Sequence, residues 1–135
     1  MRLVKIEGGR INVCEPQMLT VGDTAVVSGQ ALVLVSGALK DAGAAKPTFI
    51  ALADAIPGAK VAVGRVEPNQ IYEVELSANV STAMTVGTKY PLATHNGKSV
   101  KVNPTVSGTT ANNVAELVDA NGASKAGDKI LVRFS

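Results

Sequence analysis

The chain has 135 residues, which is enough for one domain or for two small units that share a core. Hydrophobic residues make up 46% but aromatic residues only 3%, so the core must be built mainly from Val, Ala, Leu and Ile. Gly and Pro are spread along the chain rather than gathered in a linker, and the formal net charge is only +2. These features exclude a disordered chain and a strongly basic nucleic-acid platform.

Residues 1–20 are predicted to form an N-terminal arm or an edge strand. The stretches RLVKI and GRINV alternate apolar and polar residues on either side of Gly8 and Gly9, which favours a hairpin-like or extended segment. The stretch around Pro16 is predicted to be irregular.

Residues 21–135 are predicted to form a single all-β domain with little helix, a compact β-barrel or β-sandwich. Alternation is clearest in QIYEVEL, where Glu73 and Glu75 separate apolar residues, so one face is expected to be buried and the other wet. No stretch longer than about a dozen residues keeps helical apolar spacing without Gly or Pro. The other strand candidates, in chain order, are TAVVSGQALVLVSGALK (two strands), PTFIALA, KVAVGRV, VGTKYPLAT, HNGKSVKVN, NNVAELVDA and GDKILVRFS.

The two halves of this domain share a weak internal repeat. A constant offset of 65 positions relates residues 21–60 to 86–125, and a three-residue insertion then pairs Arg65 with Arg133. We interpret this as a duplicated β unit, and chance agreement between two Val- and Ala-rich segments is the alternative. The identical pairs are Val21 with Val86, Gly22 with Gly87, Val35 with Val100, Gly43 with Gly108, Leu52 with Leu117, Asp54 with Asp119, Ala55 with Ala120 and Lys60 with Lys125.

The predicted core follows from the inward positions of these strands. Nine side chains are expected to be mostly buried: Phe49, Ile50, Leu52, Val63, Ile71, Val74, Leu117, Leu131 and Phe134.

No set of residues predicts catalysis, and we expect no catalytic residues, no cofactor and no metal. His95 is the single histidine and Cys14 the single cysteine, and neither lies in a recognisable catalytic motif. Glu73 and Glu75 can in principle act as an acid/base or calcium pair, but their spacing is that of a solvated strand face. An enzyme that uses His95 is the weakest of the functions considered.

The sequence also predicts where the protein is found. The N-terminus lacks the apolar core of a signal peptide, and no apolar run is long enough to span a bilayer, so no membrane partner is expected. A lone cysteine fits assembly in a reducing cytoplasm. The basic residues are scattered, with few aromatic residues between them, so no nucleic-acid partner is expected.

Three stretches resemble the capsid decoration (cement, or head-stabilising) proteins of tailed bacteriophages. They are KPTFIALADA, RVEPNQIYEVELS and the C-terminal part from VGTKYPLAT to GDKILVRFS, and together they cover most of residues 20–135. The resemblance implies a β-rich protein that binds the major capsid protein on the outside of the head. It also implies trimers or similar clusters, and synthesis in the host cytoplasm before incorporation into the virion.

The sequence therefore leaves two kinds of function open. The first is a structural decoration protein that stabilises a phage head, with Arg2, Lys5 and Arg10 of the N-terminal segment as candidate capsid contacts. The alternative is a small β-sandwich adhesion or carbohydrate-binding module, although such sites usually offer aromatic platforms.

Overall fold

The computed structural model describes residues 1–7 and 16–135. Stretches rich in Val, Leu and Ile form strands here because alternate side chains can bury one face of a pleated sheet. The predicted all-β architecture is confirmed, including a strand in NNVAELVDA. The described strands are β1 (Arg2–Ile6), β2 (Gln17–Thr20), β3 (Ala31–Val35), β4 (Ala38–Asp41), β5 (Phe49–Ala51), β6 (Lys60–Arg65), β7 (Gln70–Leu76), β8 (Lys89–His95), β9 (Lys98–Val102), β10 (Asn113–Asp119) and β11 (Lys129–Arg133), with a 3-10 turn at Thr110–Asn112.

The strands form two sheets with matching order. The first sheet runs β2-β6-β5-β3-β4, and we call residues 17–65 the N-terminal unit. The second runs β1-β7-β11-β10-β8-β9, and we call residues 70–133 the C-terminal unit. A parallel pairing of β7 with β9 closes the C-terminal unit into a five-stranded barrel. In the N-terminal unit the corresponding edges, β2 and β4, meet in one parallel bridge between Val21 and Leu39.

The internal repeat is therefore visible in the topology, because β2 to β6 correspond in order to β7 to β11. Backbone hydrogen bonds repeat as well. Gly58 N donates to Val21 O at 3.0 Å, and Gly127 N donates to Leu76 O at 2.9 Å. Both glycines have positive φ, 77° and 89°, which a glycine adopts without strain. In both units, the turn before the last strand is thus hydrogen-bonded in the same way to the end of the first strand.

The constant offset of 65 is wrong. Gly58 corresponds to Gly127, 69 positions on, whereas Val21 corresponds to Leu76, 55 positions on. Val21 with Val86 and Lys60 with Lys125 are therefore not structural counterparts, and the repeat runs over 17–65 and 70–133 rather than 21–60 and 86–125. The offset changes because several connections and strands differ in length between the units. For example, 42–48 joins β4 to β5, whereas the longer 103–112 joins β9 to β10.

Two hairpins carry the tight turns expected from the sequence. Ser36 and Gly37 join β3 to β4 with φ of 50° and 81°. Asn96 and Gly97 join β8 to β9 with φ of 51° and 74°. Two consecutive positive φ values define the type I′ turn, whose twist matches that of the flanking strands.

Most of the predicted core is confirmed, with two exceptions. Leu52 is 50% exposed because it lies on the outer face, beside Gly64 of β6, where it lines the groove between the two units. Leu131 is only partly buried, because it lies opposite Glu73 on the outer face of β11. The side chains buried as predicted are Phe49, Ile50, Val63, Ile71, Val74, Leu117 and Phe134.

The buried side chains form two clusters. One fills the N-terminal unit and includes Leu32, Phe49 and Val63. The other fills the C-terminal unit and extends to Ala31 and Ile50 of the N-terminal unit. The second cluster therefore also forms the apolar contact between the two units.

The stretch around Pro16, predicted to be irregular, leads directly into β2, which pairs with β6 as an integral strand of the N-terminal unit.

Within residues 1–7 and 16–135, no helix is long and apolar enough to cross a membrane.

Candidate interaction surface

β1 is the outer strand of the six-stranded sheet. It pairs antiparallel with the first half of β7, with a bulge between Leu3 and Lys5. Among the described residues no strand pairs with its other edge. Leu3 and Val4 are 43% and 42% exposed, so β1 presents both backbone groups and apolar side chains. An edge of this kind is a common place for another chain to bind.

Two of the three candidate contact residues lie on β1. The Arg2 guanidinium is well exposed and donates to Glu73 Oε1 at 2.9 Å. Lys5 is exposed and lies opposite Ile71. Arg10 lies outside the described residues. A role for these residues in capsid contact stays a prediction.

A groove of about 850 Å³ separates β1 and the C-terminal unit from the outer face of β5 and β6. Its apolar lining includes Leu3 and Ile6 of β1, Ile50 and Leu52 of the N-terminal unit, and Val100 of the C-terminal unit. The size is that of a ligand pocket or a peptide-binding groove. Sequence reasoning missed this groove, because its residues come from strands far apart in the chain and no local pattern marks them.

Charged side chains of both signs line the groove. Glu73 Oε1 contacts both Arg2 and Lys129, the latter at 3.6 Å. Glu75 pairs with Lys101 at 3.4 Å. Glu73 and Glu75 thus lie on the wet face of β7, as their spacing predicted, and each carboxylate is engaged with a cation.

The start of the chain links β1 to the N-terminal unit. The Met1 amino group donates to Gly29 O at 2.8 Å. Burial lowers the pKa of this amino group, and the charge of Glu75 partly opposes that shift. A Cβ on Gly29 would lie 2.5 Å from Met1 N, so the contact requires glycine at this position. β1 therefore pairs with the C-terminal unit, while the residue before it, Met1, is held by the N-terminal unit.

Of the residues considered for chemistry, His95, Glu73 and Glu75 line the same groove. His95 is exposed at the end of β8, beside the Asn96 turn. Cys14 lies outside the described residues. Within residues 1–7 and 16–135, no group of three or more His, Cys, Asp or Glu side chains is placed to hold a metal ion.

All four aromatic side chains of the chain are buried: Phe49, Tyr72, Tyr90 and Phe134. Tyr72 and Phe134 pack in a tilted arrangement with ring centroids 5.6 Å apart. Sugars and unpaired bases are usually bound by stacking on exposed rings. The protein offers no such ring.

The C-terminal motif GDKILVRF has a structural explanation. Asp128 accepts hydrogen bonds from Ser124 N and Lys125 N, at 2.8 and 2.9 Å, and so orders the turn before β11. Those hydrogen bonds lower the pKa of the Asp128 carboxyl. Within the strand, Ile130 and Val132 face the core. The motif therefore specifies a turn followed by an amphipathic strand.

Arg133 of the same motif ties three parts of the chain together. Its Nη2 donates to Glu116 Oε1 at 2.8 Å, and its Nη1 contacts Glu7 Oε2 at 3.2 Å. Hydrogen bonds from Arg133 and then Ser135 lower the pKa of Glu116. These groups brace β11 against β10 and against the end of β1.

No protein family and no curated protein matches the chain. Among solved structures, the chain is similar to the crystal structure of the head fiber gp8.5 N base in bacteriophage phi29. The TM-score is 0.54 at 16% sequence identity, and the match covers 88% of this chain and 95% of that one. At this identity the likeness establishes a shared fold alone.

Proposed function

We propose that this protein is a structural component of a tailed-phage head that binds the capsid exterior and stabilises the shell. The observation that carries the proposal is the fold shared with a phage head fiber base over nearly the full length of both chains. The three strand motifs that resemble capsid decoration proteins support the same assignment. They are independent of the fold comparison because they rest on local sequence.

The proposal includes no catalytic step. Glu73 and Glu75, the carboxylate pair considered for acid–base chemistry, are engaged with Arg2, Lys129 and Lys101. A surface of paired charges suits binding through many weak contacts. The effect of these contacts is multiplied when several copies bind one shell. We propose that the major capsid protein is the partner and that several copies cluster, as a trimer or a similar assembly.

The β1 edge is the proposed capsid contact, with Arg2 and Lys5 as charged contacts. A solvent-exposed ion pair contributes about 0.2–1 kcal/mol, so each contact is weak in one copy and substantial over many. The mixed charges around β1 lead us to expect only a moderate dependence of binding on salt.

The test adds purified protein to expanded capsids that lack it and measures co-sedimentation and the temperature of capsid disruption. We expect stoichiometric binding and a raised disruption temperature. Lys5→Glu is expected to weaken binding, whereas Lys40→Glu, a matched exposed strand lysine on β4, is expected to bind like wild type. A full-length protein that neither co-sediments nor shifts the disruption temperature would refute the proposal.

The alternative, an adhesion or carbohydrate-binding module, has no specific observation in its favour. The buried aromatic residues remove the usual platform for sugar stacking. Binding to a glycan array at the level of a dedicated lectin, together with failure to bind capsids, would make this alternative the better account.

A further inference from the structure

One carboxylate, that of Asp41, joins the two units. Asp41 is the last residue of β4 in the N-terminal unit. Its Oδ1 accepts hydrogen bonds from Gln30 Nε2 at 2.9 Å and from Ser99 N at 2.7 Å. Its Oδ2 accepts from Gly43 N at 2.9 Å and from Ser99 Oγ at 2.7 Å. Two donors thus belong to the N-terminal unit and two to β9 of the C-terminal unit.

Three of the four hydrogen bonds to this carboxylate come from buried residues, whereas Gly43 is exposed. Ser99 and Gln30 are buried, and Gln30 Oε1 in turn accepts a hydrogen bond from Val27 N at 3.0 Å. Loss of the carboxylate would leave the Ser99 N–H and hydroxyl without these partners in a buried position, which is costly. The network is therefore directional, and all four hydrogen bonds to the carboxylate are made in this arrangement of the two units.

A second described contact between the units is apolar. Ala31, Ala42 and Ile50 of the N-terminal unit join the core cluster of the C-terminal unit. Apolar contacts of this kind favour burial without fixing an angle, because the hydrophobic effect is not directional. The groove of about 850 Å³ is lined by both units, so its shape depends on the angle between them.

We propose that Asp41 is a positioning residue that fixes the orientation of the two units and thereby the width of the groove between them. Ionised Asp41 accepts from both units at once. When it is protonated, the oxygen that carries the proton can no longer accept both of its hydrogen bonds. When it is replaced by Asn, the side-chain NH2 group accepts neither hydrogen bond of the oxygen that it replaces. This inference does not depend on the proposed role at the phage head.

The ionisation of Asp41 follows from the same contacts. Partial burial by itself raises the pKa of the carboxyl, but hydrogen bonds from Ser99, Gln30 and Gly43 together outweigh burial and hold the pKa below its ordinary value of 3.8. The stabilisation is therefore complete above about pH 3.8 and is lost as the pH falls through the lowered pKa. The charged or titratable residues on the neighbouring segments are Lys40, Lys46, His95, Lys98 and Lys101, and no ion pair joins any of these described residues to Asp41.

The test uses the Asp41→Asn variant. Residual dipolar couplings measure the angle between the two units, and hydrogen exchange measures how fast the Ser99 amide exchanges with solvent. We expect a changed angle and Ser99 exchange faster by about tenfold or more, with the hydrogen bonds inside each unit retained. Asp128→Asn is the matched control, because Asp128 also accepts two backbone hydrogen bonds but only within one turn. It is expected to leave the angle unchanged.

Two further measurements keep the proposal testable if Asp41→Asn does not fold. Ser99→Ala removes only the hydroxyl contact and is expected to speed exchange of the backbone amide at position 99 by a smaller factor. In the wild-type protein, the Ser99 amide shift is expected to titrate with an apparent pKa below 3.8. A wild-type angle and wild-type Ser99 exchange in the folded variants, or a Ser99 shift that does not titrate, would overturn the proposal.

Discussion

At the scale of single residues, Phe49 and Leu52 look alike in the sequence but occupy different kinds of position in the fold. Both lie in the apolar stretch PTFIALA, and both were expected to be buried. Phe49 packs inside the N-terminal unit, whereas Leu52 lies beyond the end of β5 and is half exposed. The difference arises because the two side chains lie on opposite faces: Leu52 faces the groove, where the C-terminal unit leaves it uncovered.

The first prediction compares these two residues. Phe49→Ala is expected to lower the free energy of unfolding by about 3–5 kcal/mol, because it leaves a cavity in a closed core. Leu52→Ala is expected to lower it by less than about 1 kcal/mol, since surface substitutions usually have small effects. Urea unfolding of the two variants measures both values. Similar losses in the two variants would mean that the inward face of β5 is assigned wrongly.

The second prediction concerns Gly29, which has φ of 82° and approaches Met1 closely. Gly29→Ala is expected to destabilise the protein more than Gly37→Ala. Gly37 is the matched control because its φ is 81° and nothing lies within 4 Å of an added Cβ. The control therefore measures the left-handed backbone strain alone, about 1–2 kcal/mol. Equal losses of unfolding free energy would show that the Met1 contact adds nothing to stability.

At the scale of elements, the turns that lead into β3 and β7 are stabilised by the same pair of hydrogen bonds, each made by a glutamine. Gln30 N donates to Val27 O, and the Gln30 side chain accepts from Val27 N at 3.0 Å. Gln70 makes the same pair of contacts with Glu67, the side-chain bond being 2.9 Å. Both glutamines are buried, and the side-chain oxygen of each accepts a hydrogen bond from a backbone N–H of the turn.

The third prediction is a pH dependence of the brace between β10 and β11. The pKa of Glu116 is lowered chiefly by hydrogen bonds from Arg133 and Ser135, from an ordinary value of 4.5. The stabilising contribution is therefore complete above about pH 4.5 and is lost as the pH falls through the lowered pKa. Denaturation of wild type and Glu116→Gln across acid pH is expected to show a stability difference that shrinks towards low pH. A difference that is constant with pH would contradict this assignment.

At the scale of the whole molecule, two repeated units are joined by a polar network and an apolar contact, and a groove is lined by both of them. β1 adds to the C-terminal unit alone, beside β7. β2, in contrast, belongs to the N-terminal unit through its pairing with β6. The segment proposed to contact the capsid is therefore β1 rather than residues 1–20 as a whole.

The fourth prediction follows from this division. Removal of residues 1–6 is expected to leave a folded protein, because the C-terminal unit still closes through β7 and β9. The shortened protein is expected to bind expanded capsids less well, measured by co-sedimentation alongside its circular dichroism spectrum. A truncation to Thr20 is expected to damage the fold itself, since it removes most of β2. Full binding after removal of residues 1–6 would exclude β1 as the capsid contact.

The sequence by itself determined the strand content, the hairpin turns and most of the core. These features depend on alternation and on residues such as Gly37 and Gly97, whose effects are local. It also indicated the internal repeat, but not its register, because unequal connections break any constant offset.

Only the tertiary structure decided how distant strands meet. It placed Asp41 against Ser99, Met1 against Gly29, and β1 across a groove from β5. None of these contacts has a local signal, because each depends on how two separately closed sheets pack together. The physical reason is that strand formation is set by neighbouring residues, whereas packing is set by complementary surfaces that the chain assembles from remote segments.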